Sequence, residues 1–182
     1  MEIAAHIIGI FAMAFNIISY QFKSRERVLI LQLTGATLFA INMFMINAVA
    51  GGILNIIAIV RALVYIKVEK IKLPPQVLNG FFILLYIAAY VLSFTVFKTE
   101  LNVRNAILEL LPVIGMTAMN FGFARGTSSA IRICSFITSP CWLIYNSFNL
   151  AIGGILCEAF SITSSVIGII RHDASKSKET EK

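Results

Sequence analysis

The chain has 182 residues, of which 58% are hydrophobic and 13% charged, with a net charge of +6 at pH 7. A soluble domain carries about 45–50% apolar and about 25% charged residues, so most of this chain cannot be a water-facing surface. The basic residues sit in short islands between long apolar runs, which argues against nucleic-acid binding and for a helical membrane protein, since a helix satisfies its backbone groups within one segment.

A helix needs about 20 mostly apolar residues to cross a bilayer core. Seven such spans are predicted, near Ile3–Tyr20, Val28–Asn47, Val49–Ile66, Val77–Phe97, Asn105–Phe123, Ala130–Asn149 and Leu150–Ile170. The first opens on the acidic stretch MEIAAH, and its basic cluster follows it at Lys23, Arg25 and Arg27. That order reads as a retained span rather than a cleaved signal peptide. The breaks at Asn47 and Asn149 are marked only by Asn, Ala and Gly. The three cysteines, Cys134, Cys141 and Cys157, fall inside spans and read as buried thiols rather than a disulfide framework.

Charge in the connections gives a direction. With the N-terminus outside, the inner segments carry Lys23, Arg25 and Arg27, then Lys67, Lys70 and Lys72, then Arg125 and Arg132, then Arg171, Lys176, Lys178 and Lys182. The outer segments carry only Lys98 and Arg104, and Arg61 lies within a span. The positive-inside rule then predicts N-out, C-in. The terminal stretch RHDASKSKETEK reads as a disordered inner tail.

The chain also matches itself. At an offset of 102, NAVAGGIL (Asn47–Leu54) lies over NLAIGGIL (Asn149–Leu156), with five of eight positions identical. Both fall at the turn from the second to the third span of a triplet. A looser match joins IIGIFAMAFN (Ile7–Asn16) to PVIGMTAMN (Pro112–Asn120). A triplet is odd, so two triplets fused directly would be inverted, and one helix between them restores the direction. The fourth span, read as lacking a polar face, fits that linker. The predicted fold is all-α and polytopic, with seven transmembrane helices in a 3+1+3 arrangement of parallel triple-helix repeats. Its parts are a first bundle over 1–68, a linker over 69–104 with its helix at about 77–97, a second bundle over 105–171, and a tail over 172–182.

The segments ELLPVIG (Glu109–Gly115), CWLIYN (Cys141–Asn146), IGGILCE (Ile152–Glu158) and IIR (Ile169–Arg171) resemble the YgjV family of bacterial inner-membrane proteins. The resemblance is strongest from Glu109 to Arg171 and collinear over the first triplet. It implies the wider group of SWEET, semiSWEET, PQ-loop and PnuC proteins, a helical-triplet fold and a solute path between the triplets. It also implies hinges at proline. Here Pro112 and Pro140 both lie in the second triplet, whereas SWEET-type proteins hinge in both, so symmetric rocking is not expected.

The polar residues within spans are the candidate site. Glu158 falls about two turns into the last span, where a charge costs several kcal/mol unless it meets water or a partner. Arg61 is the basic residue deep in a span. Counted from the aligned glycines, it lies five residues deeper than Glu158, an axial gap of about 7–8 Å. Three readings stand for these residues: a gate or solute-carboxylate site, an ion pair joining the triplets, or Arg61 snorkelling inward with Glu158 protonated. Trp142, Asn146 and Asn149 share one helix face by their spacing. By the resemblance, Trp142 takes the solute-stacking role of a second helix, and Asn55, with Cys157 or Glu158, takes the polar role of a third. Glu109 falls near the outer end of its span. Asn16 and Asn120 occupy comparable late positions. Cys157, Ser161, Ser164 and Gly168 form a small-residue stripe suited to close helix contact.

No metal cluster, nucleotide loop or nucleophile–base pair is visible, so no enzymatic activity, cofactor or metal is expected. The expected partners are the lipid bilayer and a small solute such as a sugar, nucleoside or vitamin, with no nucleic acid; a homo-oligomer is left open. The reading is a transporter or facilitator working by alternating access. The alternative is a membrane receptor or assembly protein that passes no solute.

Overall fold

The structure is a computed structural model and describes residues 2–46, 49–67, 74–149 and 151–172. Among them are seven α-helices and no strand: α1 (Glu2–Ser19), α2 (Arg25–Met45), α3 (Val49–Ile66), α4 (Pro75–Thr95), α5 (Val103–Ala124), α6 (Ser128–Phe148) and α7 (Ile152–His172). Every expected span is a helix within a few residues of its expected ends. The expected turn residue Asn47, the boundary at 68–69 and the tail from 173 onward lie outside the described residues.

Helices α2, α4, α5 and α7 are long and apolar enough to cross a membrane, while α1 and α3 contain shorter apolar helices over Ala4–Ser19 and Gly51–Ile66. The buried face of α6 is polar, with Arg132, Ser135, Thr138, Ser139 and Asn146. Local signals set several ends. Asn102 and Thr127 cap α5 and α6 by accepting from the backbone N–H of Asn105 and Ala130. Pro75 opens α4, where its missing N–H costs nothing. Gly126, at φ 72°, takes the left-handed turn between α5 and α6.

Neighbours in sequence are neighbours in space. Helix α2 packs between α1 and α3, α6 packs between α5 and α7, α1 meets α7, and α3 touches α5. These six helices close into a ring, and α4 lies outside it against α5 and α3. Along the α1–α7 seam, Gly153 approaches Gly9, Ser164 donates to the Ile17 carbonyl at 2.7 Å, and Gln21 donates to the Ser164 hydroxyl at 2.7 Å. The contacts run in the same order along both helices, so α1 and α7 are parallel. The stripe of Cys157, Ser161, Ser164 and Gly168 is buried, as close helix contact requires.

The ring is tied at its basic end. Arg132, itself buried, donates to the carbonyls of Tyr20 at 2.9 Å and Phe22 at 2.6 Å. Arg25 reaches the carbonyls of Tyr65 at 3.2 Å and Phe123 at 3.5 Å. Ser128 donates to the Lys23 carbonyl at 2.6 Å. Several of these acceptors are carbonyls that helix ends leave without an intrahelical partner. The outer face is apolar: Phe11, Leu84, Ile107, Ile137 and Phe160 are all more than half exposed. Many polar groups are buried inside, and exposed hydroxyls such as Thr37 and Ser147 donate to the carbonyl four residues back.

One expectation about α4 is overturned. This helix does have a polar face, formed by Asn79, Tyr86, Tyr90 and Ser93. Tyr90 donates to the Ala106 carbonyl at 3.3 Å, and Ser93 donates to Glu109 at 3.4 Å. Their spacing of seven, four and three residues is helical, but four polar groups are diluted among strongly apolar neighbours. Glu109 is half-buried against this face rather than turned to water.

Two glycines in helices make opposite predictions. A Cβ on Gly168 would lie 2.6 Å from the Tyr20 carbonyl oxygen, whereas one on Gly80 meets nothing within 4 Å. Gly168→Ala is expected to destabilise the protein by about 1–3 kcal/mol through overpacking. Gly80→Ala should be neutral or stabilising by up to about 1 kcal/mol from helix propensity. Thermal unfolding of both variants in detergent checks the pair.

Candidate functional site: the central cavity

The ring helices border a half-open cavity of about 100 Å³. Side chains of all six ring helices line it, and none of α4 does. The apolar part of the wall comes from Ala36, Phe39, Met43, Met116, Met119 and Phe123. Its polar part is Asn16, Tyr20, Gln32, Asn55, Arg61, Thr138, Ser139, Asn146, Glu158 and Ser161. A concave wall that combines apolar side chains with convergent polar groups is the usual form of a small-molecule site.

Arg61 and Glu158 both border the cavity, and they form no ion pair with each other. Arg61 is buried on α3. Its Nη1 donates to the Tyr86 hydroxyl at 3.0 Å and the Met116 carbonyl at 3.2 Å. Its guanidinium carbon sits 4.6 Å from the centre of the Phe123 ring, within cation–π range. The buried Nε has no hydrogen-bond partner. All these partners are neutral, so the charge is cradled but not cancelled. Glu158, half-buried on α7, has Ser139 of α6 as its side-chain partner.

Trp142 lies one turn beyond Ser139 on α6, buried at the cavity wall. It meets Tyr145 edge to face, with ring centroids 5.7 Å apart and planes at 86°, a favoured aromatic geometry. One turn further, Asn146 is buried, and its Oδ1 has no partner. Gly154 of α7 makes that position usable, because a Cβ there would lie 2.5 Å from Asn146 Nδ2. Asn55 lines the cavity while donating back to the Gly51 carbonyl at 2.9 Å.

The expected residues are thus divided by the structure. Trp142, Asn146, Asn55, Glu158, Arg61, Cys157 and Asn16 share the cavity. Asn149 does not: it is exposed at the end of α6 and donates to the Tyr145 carbonyl. Asn120 faces away as well, donating to Asn79 Oδ1 at 3.0 Å. The same oxygen accepts from the Tyr65 hydroxyl at 2.9 Å. This buried network bonds α4 to α3 and α5, which is why Asn120 is lost to the cavity. Pro112 is buried on α5, and Pro140 is half-buried on α6. Both helices run through their prolines unbroken, and between them Thr138 donates to the Gly115 carbonyl at 2.8 Å.

A family model described as a bacterial inner membrane protein, Imp-YgjV, matches residues 3–176. The chain belongs to the Imp-YgjV family. It is a multi-pass protein of the bacterial inner membrane, which its apolar helices and apolar outer face fit. Comparison with curated proteins and with solved structures gives no match.

Several groups of the site in this Imp-YgjV protein had no signal in sequence. Tyr86 supports the Arg61 guanidinium from outside the ring, and Phe123 covers its face. Both are aromatic residues within apolar runs. Ser139 was one small residue among many on α6. Only the helical spacing of Tyr86 with Asn79 and Ser93 could have pointed to a shared inner face. Tyr86→Phe removes one hydrogen bond to a buried cation and leaves the rest of the ring in place. It is expected to cost about 1–3 kcal/mol, read as a lowered unfolding temperature in detergent, while Tyr90→Phe costs less because its partner is uncharged.

Proposed function

We propose that this family member transports or facilitates passage of a small polar solute by alternating access between two helix triplets, α1–α3 and α5–α7, with α4 as the linker. The observation that carries the reading is the polar cavity bordered by six helices of both triplets and excluding α4. Its asymmetric ties support it. Several hydrogen bonds crossing between the triplets lie at the basic end, through Arg132, Arg25, Ser128 and Gln21, and Arg61 adds one at the cavity, to the Met116 carbonyl. Toward the other end, among the described residues, α7 comes close to α1 where Gly153 faces Gly9, a meeting of two residues without side chains that has little to break. This is the form expected of a state latched on the basic side.

The repeat reading has support of its own. Gly52 receives Phe44, and Gly154 receives Asn146. Both members of the first contact map onto the second at the offset of 102 that aligns the two GGIL segments. A kinship to the SWEET, PQ-loop and PnuC group would follow from parallel triplets, with Pro112 and Pro140 as a hinge confined to the second. The positive-inside rule assigns the basic end to the cytoplasm, giving N-out, C-in. The reading is of a non-enzymatic protein whose partners are lipid and solute.

Two experiments test it. In a cysteine-free background, a cysteine at Asn149 should label with a membrane-impermeant maleimide from outside intact cells, and one at Ser24 should not. Reversed labelling would overturn the orientation. A cysteine at Gln32 should become several-fold more reactive from the cytoplasmic side when Arg132→Gln opens the latch. Unchanged reactivity would make Arg132 a static brace and count against alternating access.

The second experiment is flux into liposomes from a pool of small labelled metabolites. Trp142→Ala should lose at least tenfold in uptake while the protein stays folded, and Trp142→Phe should retain part of it because a stacking surface remains. Binding without passage would favour the receptor alternative. A Trp142→Ala protein that transports normally but melts early would make this ring a wall element only.

A further inference from the structure

The cavity holds one cationic and one anionic side chain that do not neutralise each other. Arg61 has the Tyr86 hydroxyl, the Met116 carbonyl and the Phe123 ring around it. Glu158 has the Ser139 hydroxyl. Structural ion pairs inside membranes are expected to meet, because an uncompensated charge in a low-dielectric surrounding is costly. Here both charges are instead held apart on different helices with neutral partners, bordering the same empty space.

We infer that the central cavity binds a small zwitterion, with its anionic group at Arg61 and its cationic group at Glu158. The inference rests on the cavity being the solute site. A neutral sugar would leave both protein charges uncompensated. An anion would leave Glu158, and a cation would leave Arg61. With Glu158 ionised, a solute with one charge of each sign satisfies both.

The surroundings fit each end. At the anionic end, the neutral partners of Arg61 hold Nη1 and cover one face of the guanidinium, so its positive charge still favours an anion. At the cationic end, Trp142 stands one turn from Ser139 on the same helix. Its ring can add cation–π attraction to the Glu158 carboxylate. The two ends come from α3 and α7, one from each triplet. The solute's two charges would therefore bridge the triplets, and its binding energy would act on their separation.

Trp142 is the chain's single tryptophan, so its fluorescence reads the cavity without a label. The test uses purified full-length protein in detergent and a ladder of ω-amino carboxylates from glycine to 6-aminohexanoate. The matched fatty acids, the matched alkylamines and glucose serve as probes of single or no charge. Saturable emission changes are expected for at least one rung of the ladder, at a concentration at least tenfold below that needed for its fatty acid or amine. Glu158→Gln should abolish that preference over the matched fatty acid. Arg61→Lys, which keeps the charge but not the fork, should weaken binding several-fold and keep the preference. If Arg61→Lys fails to fold, Glu158→Asp should shift the preferred rung toward a longer chain.

Glucose or a single-charge analogue binding as tightly as every zwitterion would overturn the inference, as would a ladder that never binds or a silent Glu158→Gln. Flux measurement on the same solutes separates it from the transport reading. Zwitterion binding without passage sustains the site and rejects transport. Passage of glucose with no zwitterion preference does the reverse.

Discussion

The constraint on which this fold depends is the absence of water around most of its surface. In hydrocarbon, an unpaired backbone or side-chain polar group has no solvent to turn to. The chain responds by making every span a helix and turning many of its polar side chains inward. Apolar side chains such as Phe11, Leu84 and Ile137 then face out without penalty. Because lipid is as apolar as the side chains, greasy contact alone does not hold the helices together. Small residues and side-chain-to-carbonyl hydrogen bonds do that instead. Gly115 lies against the Thr138 backbone, Gly168 against the Tyr20 carbonyl, and Ser164 donates to Ile17.

The same logic explains the cradle of Arg61. A guanidinium inside the ring must find acceptors, and those present are a tyrosine hydroxyl from the outer helix α4, a backbone carbonyl from α5 and an aromatic face. Helix α4 thus takes part in the site from outside the ring. It reaches through the gap between α3 and α5 with Tyr86 and bonds to the same two helices through Asn79. A neutral cradle lowers the cost of burying the charge without cancelling it. The cavity therefore keeps an electrostatic character that an internal ion pair would have removed.

The first three and the last three helices differ in chemistry. At the equivalent glycine contacts, the first presents a phenyl ring from Phe44 and the second an amide from Asn146. Tryptophan, the two helix-interior prolines and the cavity carboxylate all belong to the second triplet, and the cavity guanidinium to the first. The division places side chains of opposite charge type on α3 and α7, on two sides of one cavity. The basic end is drawn together by arginines that satisfy helix-terminal carbonyls across the boundary. Those bonds are directional and separable, unlike an interdigitated apolar seam.

Much was legible in the sequence because the bilayer reads composition over long windows. An apolar run of about 20 residues has one inexpensive solution, so the seven helices and their approximate ends followed directly. The GGIL match picked out two glycine contacts that the structure places at equivalent positions. Glu158 was recognisable as inward-facing because a charged group in a span must face protein or water, whereas Trp142 and Asn55 were singled out by the family resemblance and Asn146 by the helix face it shares with Trp142. What periodicity could not decide is which inner neighbour each polar side chain meets. Asn16 and Asn120 stand at comparable places in their helices, yet Asn16 lines the cavity and Asn120 is taken up by Asn79. Arg61 and Glu158, the obvious pair by charge, instead have Tyr86 and Ser139 as partners. Those choices depend on helix rotation and on where α4 lies, and both are set by contacts between residues far apart in the chain. A single helix's sequence records that a side chain turns inward. Only the assembled ring determines what it finds there.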